Sequence, residues 1–145
     1  MVPVFFSSED IPFQIENQLA LADWFSSIVG DHGKEIGEIS VILVSDDRLL
    51  EINRELLDHD YYTDIITLPM HVAGADELIA DLYISIDRVR DNASRFGVSV
   101  VDELHRVMIH GVLHLLGHDD KDETSKSAMR MMEDKCLAIR SWLSN

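Results

Sequence analysis

The stretch Val101–Asp120, VDELHRVMIHGVLHLLGHDD, decides the reading of this chain. It reads as one mostly apolar helix followed by a tight exit. His105, His110 and His114 lie within ten residues on it, and His118 follows just beyond. His110 and His114 are four apart, so their side chains leave the same face one turn apart. Asp102 is placed to cap the start, and Glu103 favours the first turn. Gly117 accepts positive φ, ends the helix and lets the chain double back. That return brings an acid under the two imidazoles. The expected result is a divalent-metal site, zinc by preference, built from His110, His114 and Asp120. His118 and Asp119 are rival ligands, because the glycine leaves the exit geometry open. His105, five residues before His110, falls on another face and reads as a packing residue. His32 and His71 have no special context.

Upstream, the periodicity alternates. Val2–Phe6 reads as a first strand, and Pro12 as the opening of a helix that runs to about Val29 with Ile15, Leu19, Ala22, Phe25 and Val29 inward. Glu38–Val44 is β-branched and apolar, a buried strand. Ser45 caps a helix to about Leu57, and residues 58–64 form a polar and aromatic loop. Ile65–Leu68 and Leu78–Ile86 are two more strands, joined by a link too short for a crossover helix and therefore antiparallel. Asp87–Phe96 is a helix closed by Gly97. After the histidine helix, a last helix runs from Thr124 or Ser125 to Trp142 with Met129, Met132, Cys136, Ile139 and Trp142 inward. The early strand–helix–strand unit implies a parallel pair with a right-handed crossover. The expected fold is α/β (α+β): one domain over residues 1–145, a small mixed four-stranded sheet surrounded by helices. The metal site sits on a central helix and its exit loop.

Composition sets limits. The chain has 145 residues, 46% apolar and 27% charged, which suits one soluble domain with a real core. No apolar run is long enough to span a membrane, and the N-terminal stretch lacks the basic leader of a secretory signal. One cysteine excludes an internal disulfide and suits a reducing cytoplasm; Cys136 reads as a core residue. The net charge is −15, carried mainly by residues 1–99, with 6 basic against 19 acidic side chains. Residues 100–145 hold 6 against 8, so the histidine-bearing third is nearly neutral. Such a charge repels polyanions at long range, and a nucleic-acid role requires a local basic strip.

The pattern HxxxHxxGxxD matches the ligand spacing of metzincin metalloproteases, but their general base directly follows the first histidine, where Gly111 stands here. HGVLHLLGHDD (110–120) resembles more specifically the HGxLHLxGYDH signature of the YbeY family of bacterial endoribonucleases. INRELLDHDYYTDIITLP (52–69) resembles that family's LNxxYRxxDxxTDVLSFP segment, keeping Asn53, Asp60, Thr63, Asp64 and Pro69. ADLYISID (80–87) is similar to its GDIxIsxD strand.

The resemblance implies a mixed sheet ringed by helices, a zinc-type site and hydrolysis of single-stranded RNA. The implied task is 16S rRNA 3′-end maturation and ribosome quality control in the cytoplasm, with the ribosome or its small subunit as partner. Three positions depart from the signature: Asp120 replaces the third histidine ligand, His118 the tyrosine, and Leu57 the active-site arginine. His59 is then the nearby cation to compensate for Leu57, and Asp119 or His118 a proton relay. Asp64 is expected to brace a ligand imidazole. Two other classes stay open: a metal-dependent hydrolase of another substrate such as a peptide, and a non-catalytic ribosome-associated protein with a structural metal. The oligomeric state is not legible.

Overall fold

A computed structural model describes residues 2–143. The elements follow in the order β1 (Val4–Ser8), α1 (Gln18–Asp31), β2 (Glu35–Val44), α2 (Asp46–Leu57), β3 (Ile65–Pro69), β4 (Glu77–Ser85), α3 (Ile86–Phe96), α4 (Val100–Leu115) and α5 (Glu123–Ala138), with a short 3₁₀ turn at Ser141–Leu143. The sheet order is β1-β2-β4-β3. β1, β2 and β4 run parallel, and β3 lies antiparallel on β4, as the short 65–86 link demands. Alternate residues of β2 and β4, among them Ile39, Val41, Leu43, Leu82 and Ile84, are fully buried. α4 packs against that face and also touches α1, α3 and α5, so it is the central helix. Among the described residues, no helix is long and apolar enough to cross a membrane.

Local chemistry accounts for most boundaries. Ser45 Oγ accepts the Arg48 N–H at 3.1 Å, with Asp46 and Asp47 in the first turn of α2. Ser85 and Ser99 cap α3 and α4 in the same way. Ser99, not Asp102, is thus the cap of α4, and Asp102 sits in its first turn, paired with Arg140 at 3.0 Å. α4 closes through a Schellman turn: the Gly117 N–H donates to the His114 carbonyl and the His118 N–H to that of Leu113, both at 3.0 Å, with Gly117 at φ 99°.

Several boundaries differ from the sequence reading. β1 begins at Val4, and α1 begins at Gln18 rather than at Pro12. The Glu9 N–H bonds the Leu43 carbonyl, and the Asp10 carboxylate accepts both the backbone N–H and the hydroxyl of Ser45. These contacts tie residues 9–10 to the end of β2, and the helix starts only after the left-handed turn at Asn17. Of the expected inner stripe, Ile15, Ala22, Phe25 and Val29 are buried and Leu19 is not. Leu21, Trp24, Phe25 and Ile28 are buried, while Leu19 faces solvent at 76% exposure. β2 starts earlier than expected, at Glu35, with a register shift beside Gly37. α5 ends at Ala138, and Ile139 is exposed. There Arg140 turns back, donating from Nε to the Leu137 carbonyl and from Nη1 to Asp102 and His105.

Cys136 is buried as expected, and burial pushes its thiol up to about 11. His105 also packs, between Trp24 and Trp142. Burial and the neighbouring Arg140 charge lower it to about 4.

Candidate metal centre and cleft

Helical spacing places the His110 and His114 rings on one face of α4, and the Schellman exit returns Asp120 beneath them. His110 Nε2 and His114 Nε2 are 3.0 Å apart. Asp120 Oδ2 stands 3.4 Å from the first and 3.5 Å from the second. A tetrahedral ion with ligand bonds near 2.0–2.1 Å needs donor–donor edges of about 3.3 Å. The three donor atoms therefore already outline one face of such a shell. Among the described residues, no fourth His, Cys, Asp or Glu donor joins this cluster. The residues present can coordinate a divalent metal.

Glu133 on α5 sets the tautomer. Its Oε2 accepts the His110 Nδ1–H at 2.6 Å, which leaves the Nε2 lone pair aimed at Asp120 and His114. Its Oε1 accepts Arg106 Nη1 at 3.0 Å, and Arg106 also donates to Asp134. Burial works against an imidazolium at His110. The bonded Glu133 carboxylate outweighs it, helped by the charges of Asp64 and Asp120, and holds its pKa above the ordinary histidine value. The bond expected of Asp64 is thus made by Glu133. The sequence did carry a signal: Glu133 falls between Met129 and Cys136 on the inward stripe of α5, an acid where an apolar residue belongs.

The cluster lies in a cleft of about 1060 Å³, also lined by Lys34, Tyr61, Thr63, Asp64 and His71. Asp64 enters from the turn before β3, its carbonyl accepting the Ser85 N–H at 2.9 Å. Burial raises its carboxyl pKa, against the pull of His110. Lys34, on the α1–β2 turn, donates to the carbonyls of Ala75 at 2.9 Å and Gly74 at 3.4 Å. It supplies a cation to the cleft that sequence reasoning missed, because nothing local in residues 30–36 marks it.

The other expected site residues lie elsewhere. Leu57 ends α2 and lines no part of the cleft. His59 stacks on Tyr61 at 5.1 Å between ring centroids, outside the lining. Asp119 is exposed and accepts the Lys121 N–H at 3.0 Å. His118 Nε2 meets His32 Nε2 at 2.9 Å. His32 Nδ1 lies 2.9 Å from the Ile28 carbonyl, which can only accept. His118 is therefore the donor in the imidazole pair, and His32 has a partner the sequence did not suggest.

Residues 6–140 match the family model described as endoribonuclease YbeY. The chain belongs to the YbeY family. The endoribonuclease YbeY of Bacteroides thetaiotaomicron is 48% identical over 118 residues, covering 81% of this chain and 85% of that protein. The endoribonuclease YbeY of Cytophaga hutchinsonii is 44% identical over 140 residues, 96% of each chain. A solved structure from Thermotoga maritima superposes with a TM-score of 0.61 at 26% identity, covering 92% of this chain and 86% of that one. In this YbeY-family chain the histidine pair on α4 meets the carboxylate of Asp120, a cluster that could hold a divalent metal.

Proposed function

We propose that this protein is a metal-dependent endoribonuclease that cuts single-stranded RNA. Its natural setting is 16S rRNA 3′-end maturation and ribosome quality control in the cytoplasm, beside the small ribosomal subunit. The whole chain acts as a single hydrolase domain. The observation that carries the reading is the His110–His114–Asp120 triangle, braced by Glu133, at the edge of an open cleft. Two neutral imidazoles and one carboxylate suit zinc, and three protein donors are the complement of a catalytic rather than a closed structural site. Such an ion supplies Lewis-acid polarisation of a phosphoryl oxygen and activation of water near neutral pH.

The chain's own residues do the rest. Glu133 accepts the His110 Nδ1–H, so Nε2 is the nitrogen presented to an ion, which must displace the proton that the same carboxylate favours there. Asp64, a half-buried carboxyl with a raised pKa on the cleft wall, takes the proton from the attacking oxygen. Lys34 uses two carbonyl partners and has three N–H bonds, so one remains for a phosphate oxygen. It stands in for the cation lost at Leu57. The exposed Tyr61 ring offers a base a stacking surface.

Peptide hydrolysis is the second reading. Asp64 also answers the lack of an acid at Gly111, since it reaches the cleft from another element. Lys34 and Tyr61 favour the nucleic acid.

The test is metal content by mass spectrometry for wild type and Asp120→Ala, with cleavage assays on single-stranded RNA, duplex RNA and an unstructured peptide. Loss of both metal and single-strand cleavage in Asp120→Ala supports the reading. Full metal occupancy in that variant removes Asp120 from the ligand set, and peptide cleavage without RNA cleavage replaces the substrate.

A further inference from the structure

A second cavity, of about 340 Å³, shares Asp64, His110 and Asp120 with the main cleft. The two divide along α4. The main cleft takes His110, His114 and Leu115, whereas the second takes Glu103, Arg106, Val107 and His110. His110 is therefore the boundary between two hollows that together follow α4 from Glu103 to Leu115, about 18 Å at 1.5 Å per residue.

The second hollow has a distinct chemistry. Phe96, at the end of α3, lines it and is 55% exposed, an aromatic face left in water. Lys126 and Arg130 line it from α5, four residues apart and so on one helical face, and both are exposed. Among the described residues Lys126 pairs with Glu123, at 3.9 Å with both side chains largely in solvent, a pair too weak to hold it from another anion. Of the hollow's four carboxylates, Glu103 and Glu133 are buried, and Asp64 and Asp120 are half-buried at its junction with the main cleft. Glu133 is committed to Arg106 and His110. Exposed cations beside an exposed aromatic ring are the two elements a single-strand binding groove uses, one for the backbone and one for stacking. The lining holds four carboxylates, Asp64, Glu103, Asp120 and Glu133, against Arg106, Lys126 and Arg130, so the attraction for a polyanion is confined to the two exposed cations at the rim.

We propose that this second cavity is a nucleotide subsite in which Phe96 stacks a base and Lys126 and Arg130 hold the flanking phosphates of a single-stranded RNA. The strand then crosses the His110–Asp120 pair, occupying both hollows, with the bond to be cut at their junction. The inference rests on the nuclease reading and adds to it the path of the strand.

The test uses uncleavable 2′-O-methyl phosphorothioate strands of two lengths: one of about three nucleotides, which fills the main cleft alone, and one of about ten, which reaches past the junction. Affinities are measured against salt concentration for wild type, Phe96→Ala, Phe96→Tyr and the double variant Lys126→Gln/Arg130→Gln. Phe96→Ala should weaken the longer strand by about 5- to 100-fold, and Phe96→Tyr should restore it. The double variant should flatten the salt slope for the longer strand by about 1.4, two contacts at roughly 0.7 each. Neither should change binding of the short strand. Equal retention of the longer strand by the variants, or equal loss of both strands, overturns the subsite and leaves the nuclease reading standing. A wild type that binds neither strand takes the nuclease reading down as well. Phe96, Lys126 and Arg130 are all exposed, and thermal unfolding of each variant confirms that the fold is intact.

Discussion

Glu133 is the residue whose position matters most for its distance from the metal donors in sequence. It is buried, acidic and bonded at 2.6 Å to the back of His110. Glu133→Gln keeps the shape and removes the charge that favours the Nδ1–H tautomer. Metal affinity should fall about 10- to 100-fold while the fold persists, read by competition with a chelator.

His105 makes a different residue-scale prediction. Its pKa in the folded protein is about 4, below the unfolded value near 6.5. The unfolded chain thus takes up a proton that the native state refuses. The stabilisation is present above pH 6.5 and is lost as the pH falls toward 4, to the extent of about 3 kcal/mol. Urea unfolding at pH 7 and pH 4.5 should show this loss, and His105→Gln should shrink it. An unchanged pH dependence in that variant would assign the acid sensitivity to other groups.

At the scale of the element, α4 can be central only because it comes close to the sheet. A Cβ added at Gly111 would stand 2.7 Å from Ile65 Cδ1 and 3.3 Å from Leu82 Cδ2. The glycine that denies this helix a metzincin-type acid thus lets the ends of Ile65 and Leu82 press directly on the α4 backbone. Gly111→Ala sets an overpacking cost of about 1–3 kcal/mol against a helix-propensity gain of about 1 kcal/mol, so a small net loss is expected. Combining it with Ile65→Ala should cost less than the sum of the two single changes, because the clashing methyl is gone. Additive losses in a double-mutant cycle would mean that α4 shifts rather than presses on Ile65. The glycine exit matters in the same way: the left-handed Gly117 turns the chain so that Asp120 faces back toward two rings already fixed by the helix.

For the whole molecule, the metal site ties α4, its exit and, through Glu133, α5 into one unit. An ion that binds the folded chain and not the unfolded one adds about 2.7 kcal/mol when its concentration is a hundred times its dissociation constant. Zinc should therefore raise the unfolding midpoint of the wild type, and chelation should lower it to that of Asp120→Ala. Coincident midpoints with and without zinc would mean that the triangle holds no ion in solution. Charge acts at this scale too. The net −15 lies mostly outside the histidine-bearing third, which is nearly neutral, so long-range repulsion is weakest there. If the proposed function holds, placement on RNA should depend on short-range contacts in the two hollows rather than on long-range attraction.

The elements, the antiparallel β3–β4 pair and the metal triangle were all legible in the linear chain. Each rests on neighbours in sequence: side-chain period, capping hydroxyls, a link too short to cross over, and a glycine three residues past a histidine pair. The late start of α1 was not legible, because Glu9 and Asp10 are held by Leu43 and Ser45 across the sheet. Nor were Glu133 behind His110, Lys34 in the cleft, the His32–His118 pair, or Phe96 with Arg130 around a second hollow. Those partners are far apart along the chain, and no local preference links them. Packing of α1, α3 and α5 around α4 brings them together, since only burial of their apolar faces against a common core sets which polar groups meet.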